Sequence, residues 1–106
     1  MWKLFLDDLR DCNDPEYVVC RTSSEALEQV RQRGMPVDMA LDHDLGEVNG
    51  MDDTAMNFLH SLAEMLMDGE LVFPSGFSYT IHSANPVGRS NIKGLLDQLV
   101  KHFSEK

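Results

Sequence analysis

The spacing of apolar runs predicts an α/β domain, an open parallel sheet of about four strands with helices packed against it. Three observations carry this expectation. Short apolar or β-prone runs of strand length recur at residues 2–6, 17–20, 37–41 and 77–81. Between and after them lie stretches with apolar residues three and four apart, the spacing of a helix with one buried face. Strand and helix alternate, and strands joined through helices run parallel with right-handed crossovers.

Residues 2–6 are mostly apolar and end abruptly at Asp7 and Asp8, which reads as a buried first strand. Asp11, Asn13, Asp14 and Pro15 have loop composition, and leave little room for a helix before the second strand, Tyr17 to Cys20. Thr22 to Glu25 fits a capping box, with the glutamate reaching back to the threonine amide. Ala26, Leu27 and Val30 then supply a helix face that stops near Gly34 and Pro36. Val37 to Leu41 is the third strand, ending in Asp42, His43 and Asp44.

Leu45-Gly46 and Asn49-Gly50 mark a flexible loop, after which Asp52 or Asp53 caps a second helix. Its apolar positions are Ala55, Leu59, Leu62, Ala63 and Leu66. Phe77, Tyr79 and Ile81 alternate with Ser78 and Thr80, as in a half-exposed edge strand. Asn85 at the cap and Pro86 in the first turn open the last helix, with Leu95, Leu96, Leu99, Val100 and Phe103 inward.

A chain of 106 residues is expected to be one domain, residues 1–106, with a core that needs no disulfide. Cys12 and Cys20 are read as free thiols of a reducing compartment, and no signal peptide or membrane-spanning run is visible, so a cytoplasmic location is expected. Eighteen acids against nine bases leave a net charge of −9, which argues against general DNA binding.

Open α/β sheets bind ligands at the carboxyl ends of their strands. Asp7-Asp8, Asp42-His43-Asp44 and His82-Ser83 all fall there, delivered by three separate segments. Carboxylates crowded together repel, and a divalent cation relieves the repulsion. Oxygen ligands suit Mg²⁺ or Mn²⁺, which pair a few carboxylates with a substrate phosphate. The candidate metal ligands are Asp7, Asp8 and Asp42, with Asp44 a fourth. His43 and His82 are candidate acid–base groups. Ser83 is a candidate hydrogen-bond donor to phosphate, Arg89 near a helix start is a candidate phosphate clamp, and Arg10 either neutralises the acids or touches substrate.

The motifs LDDLR at 6–10, LDHDLG at 41–46 and HSANPVGRSN at 82–91 give the chain a family resemblance over nearly its whole length. It resembles response-regulator receiver domains, and more closely a divergent relative, the cyclic-phosphate-processing receiver-like family. The resemblance implies a truncated flavodoxin-like sheet of strand order 2-1-3-4. It implies that Asp7 and Asp8 hold Mg²⁺, that Asp42 corresponds to the phosphate-accepting aspartate, and that Ser83 contacts the phosphate. His43, His82, Asn85 and Arg89 stand as added catalytic or substrate groups. The fifth receiver strand and its lysine have no counterpart in these residues, which counts against phospho-signalling.

The expected activity is thus metal-dependent hydrolysis of a cyclic phosphate, a 2′,3′-cyclic nucleotide or RNA end, with water or Asp42 as nucleophile. Two alternatives stand beside it: a phospho-accepting receiver at Asp42, and a non-catalytic module whose acidic surface binds a protein partner. The partners left open are a small phosphorylated ligand or RNA end and a protein partner or homodimer; whether the edge strand at 77–82 pairs with another copy is not decided by the sequence.

Overall fold

The computed structural model describes residues 1–104. The elements run β1 (Lys3–Leu6), β2 (Tyr17–Cys20), α1 (Ser23–Arg33), β3 (Asp38–Leu41), β4 (Asp44–Val48), β5 (Met51–Thr54), α2 (Ala55–Met67), β6 (Ser78–Ile81) and α3 (Pro86–Phe103). Four of the strands form one parallel sheet in the order β2-β1-β3-β6, which is the expected 2-1-3-4 arrangement.

Strand register follows burial. Leu4, Leu6, Met39 and Leu41 are fully buried on the two central strands. The crossovers β2–α1–β3 and β3–α2–β6 step across the sheet in the same direction, so equal handedness puts both helices on one face. α1 packs on α2 and α2 on α3. The step from β1 back to β2 runs the other way, through residues 7–16, which contain no helix. The opposite face therefore carries half-buried Lys3, Phe5, Tyr17 and Val19 rather than a helical layer. Tyr17 and Ser78 donate their hydroxyls to Asp38 across it, and that bond pushes the Tyr17 phenol up to about 12, aided by burial.

The helix faces are close to expectation. Ala26 and Val30 are buried on α1, and Ala55, Leu59, Leu62 and Leu66 on α2, joined there by Phe58. Ile92, Leu96 and Leu99 form the buried stripe of α3, with Leu95, Val100 and Phe103 half-buried at its margins. Among the described residues no helix is long and apolar enough to cross a membrane.

Three local expectations are corrected. Residues 44–54 are not a flexible loop: β4 and β5 form an antiparallel hairpin, turned by Asn49 and Gly50, both at positive φ (55° and 79°). Asp52 and Asp53 do not cap α2, because both lie in β5 and Thr54 is the cap residue. In the capping box, Thr22 Oγ1 accepts from the Glu25 amide as expected, but Glu25 accepts from the Arg21 amide at 2.7 Å instead of the threonine's.

Candidate functional site

Backbone pairing continues one residue past the strand ends. The Asp7 amide donates to the Cys20 carbonyl, the Asp42 amide to Leu6, and the His82 amide to Leu41. The parallel register thus carries Asp7, Asp42 and His82 side by side at one sheet edge. One carboxylate oxygen from each of Asp7, Asp8 and Asp42 lies within 4.8 Å of the other two. Asp7 is buried, and Asp8 and Asp42 are half-buried.

Asp7 and Asp42 are shaped by their surroundings. Burial would raise the Asp7 carboxyl, yet hydrogen bonds from the Arg10 and Leu9 amides and the neighbouring His82 outweigh it and hold the group below the usual carboxylate range. Burial raises Asp42, and the charge of Asp7 raises it further. A partly buried, all-oxygen cluster in which Asp7 and Asp8 disfavour the charge on Asp42 fits a small hard divalent cation. Asp44 stands outside this group. Its carboxylate instead accepts from Asn85 Nδ2 at 3.4 Å and meets His43 Nδ1 at 2.9 Å, the His43 contact holding it below its ordinary value.

Two histidines flank the acids. His82 Nε2 lies 3.0 Å from Asp7 Oδ2, and its ring stacks on Phe5 with centroids 5.0 Å apart and planes 9° from parallel. His43 is seated against α3: a Cβ on Gly88 would fall 2.4 Å from His43 Cγ. Each ring thus has one nitrogen on a carboxylate and one face fixed by packing. His60 and His102 are exposed on α2 and α3, apart from this edge, as expected.

The β6 end is held by two arginines. Arg89 Nη1 donates to the carbonyls of Ile81 and Ser83, and Arg10 Nη1 to that of His82. Ser83 is buried, and its hydroxyl oxygen accepts from the Asn85 amide at 3.1 Å. Asn85 caps α3 by accepting from the Gly88 amide.

Several site residues were missed from the sequence. Arg21, directly after β2, donates to the main-chain carbonyls of Asp7 and Arg10 and pairs with Asp11, so it binds together the loop that carries the acidic pair. Gly46 of the hairpin, at φ +77°, has no Cβ to meet Asp8; one would fall 3.1 Å from Oδ2. Asp53 accepts from the Ser23 amide and hydroxyl and from Asn57, which ties β5 to the start of α1. Arg21 left a signal in its position at a strand's carboxyl end, while Gly46 and Asp53 were read from the sequence only as loop and cap residues.

With this geometry in place, a family model described as the cyclic-phosphate processing receiver domain matches residues 2–98. The chain belongs to that family. Neither a search of curated proteins nor one of solved structures found a match. The matched span contains the whole parallel sheet of this receiver-like domain and the acidic strand ends at Asp7, Asp8 and Asp42.

Proposed function

We propose that this receiver-like domain is a metal-dependent phosphoesterase acting on a cyclic phosphate, a 2′,3′-cyclic nucleotide or RNA end. The observation that carries the reading is the convergence of Asp7, Asp8 and Asp42, from two separate strand ends, on one space in a chain of a cyclic-phosphate-processing family. These three residues would hold Mg²⁺ or Mn²⁺. Bound there, the cation supplies positive charge to the phosphoryl oxygens.

The chain's own groups do the rest. His82 and His43, each oriented through one ring nitrogen by Asp7 and Asp44, have the other nitrogen available to move a proton to or from the ester oxygens. Ser83 accepts from the Asn85 amide, which leaves its O–H to donate to a phosphoryl oxygen. Arg89 and Arg10 hold the 81–83 backbone through Nη1 and bring their remaining N–H groups to the same edge.

The test is turnover of 2′,3′-cyclic nucleotides and cyclic-phosphate-ended RNA with Mg²⁺ or Mn²⁺. Hydrolysis lost in Asp8→Ala and in His82→Ala is the expected result. Intact metal binding without turnover of any member of the panel rejects the enzyme. A second reading, phosphorylation of Asp42, is supported by its half-buried position beside the acidic pair. It predicts a beryllium fluoride adduct that Asp42→Asn does not form.

A further inference from the structure

Among the described residues the lysines sit away from the acidic edge. Lys3 starts β1 and pairs with Glu16, Lys93 pairs with Asp97 midway along α3, and Lys101 lines a groove with Phe77 at the other end of β6. Arg31 and Arg33 end α1, where Arg33 covers the Trp2 ring. Arg10, Arg21 and Arg89 are the arginines at the acidic edge, and each spends guanidinium N–H groups on main-chain carbonyls.

Against them stand Asp7, Asp8, Asp42 and Asp44, and the hairpin adds exposed Glu47 and Asp52. Glu47 follows Gly46, the residue that abuts Asp8. Glu47 and Asp52 are also direct cross-strand partners. Like charges placed opposite each other destabilise a hairpin, so this pair works against the fold that carries it. Nor do the two belong to a chelating group, since Asp7, Asp8 and Asp42 are the acids that converge among the described residues.

A nucleic-acid strand gains affinity from lysines and arginines that track successive phosphates. Among the described residues this site has no such track, and the exposed acids of the neighbouring hairpin repel further phosphates that come near them. A single-charge ligand avoids that cost, because its one phosphate sits at the cation. Leu9, beside Asp8, and Val87, beside Asn85, are exposed apolar groups suited to its uncharged body. Resting on the phosphoesterase reading, we infer that the ligand is a mononucleotide-sized cyclic phosphate, and that the Glu47–Asp52 pair of the hairpin excludes the ends of longer strands.

The experiment compares a 2′,3′-cyclic mononucleotide with an oligoribonucleotide of about ten residues ending in the same cyclic nucleotide. Turnover and calorimetric binding are both measured in Mn²⁺. The mononucleotide is expected to win by about tenfold or more in about 0.05 M salt, with the gap shrinking as screening shortens the Debye length. The Glu47→Gln, Asp52→Asn double variant should raise use of the oligoribonucleotide several-fold and leave the mononucleotide within about twofold. Equal or better use of the oligoribonucleotide, or no response to the double variant, overturns the inference. Tighter binding of the mononucleotide without turnover of either ligand rejects hydrolysis and keeps the ligand class. Binding of neither ligand rejects both.

Discussion

Gly88 and His43 meet so closely that one methyl group separates a formed site from a displaced one. A Cβ at residue 88 would overlap three atoms of the imidazole, at 2.4, 2.7 and 2.8 Å. The ring lies between Asp44 and α3, so it yields only by shifting the helix start or breaking the Asp44 contact. Gly88→Ala is expected to destabilise the fold by about 1–3 kcal/mol, the usual cost of overpacking. Hydrolysis should fall further than unfolding explains, because His43 moves; urea denaturation beside kcat separates the two effects. Asp53 is the second decisive residue. Its burial would raise its carboxyl, but the Ser23 and Asn57 hydrogen bonds prevail and hold it low. A carboxyl lowered by folding adds stability above its unfolded value of about 3.9, and loses that contribution as pH falls through the lower folded value. Asp53→Asn should therefore flatten part of the decline in urea midpoint below about pH 4. Asp53→Ala should cost about 1.5–3 kcal/mol at pH 7, through the lost charged hydrogen bonds.

The hairpin is the element whose existence was least legible. Asn49-Gly50 was visible as a turn, but residues 44–48 and 51–54 carry acids and glycine where strand-formers were sought. Its pairing is stabilised from outside itself: Leu45 is buried in the core, and Asp53 reaches α1. Those contacts join residues far apart in sequence, which local propensity does not encode. The opposed acids Glu47 and Asp52 yield a direct prediction. Glu47→Lys turns a repulsive cross-strand pair into an attractive one, and should raise stability by about 0.2–1 kcal/mol, toward the lower end because both groups are exposed. The sign is checked by thermal melting at low salt, and the gain should shrink as salt is added. By contrast, the four strands of the main sheet and the three helices were readable, since their apolar spacing matches one buried face.

At the scale of the molecule, three helices cover one face of the sheet, and an irregular segment crosses the other. The open sheet still ends in one acidic edge, so the cation that would neutralise that edge also couples to folding. Mg²⁺ at about a hundred times its dissociation constant should stabilise the domain by about 2.7 kcal/mol, a rise in Tm of roughly 10 °C or more. Asp42→Asn removes a carboxylate that burial and Asp7 disfavour, so the metal-free variant should melt higher than the parent at pH 7 and gain little from Mg²⁺. A parent that melts at the same temperature with and without Mg²⁺ or Mn²⁺ would remove the metal from the proposal.

The parallel sense and the arrival of Asp7, Asp8 and Asp42 at one edge were legible from local spacing and crossover rules, and the strand order from the family resemblance. The partners of each charged group were not. Arg21 on the Asp7 loop, Arg89 on the 81–83 carbonyls, Asp44 drawn to Asn85, and Gly46 and Gly88 against their neighbours each join residues from different segments. Such contacts depend on where folded elements come to rest, and a one-dimensional pattern carries no distance between them.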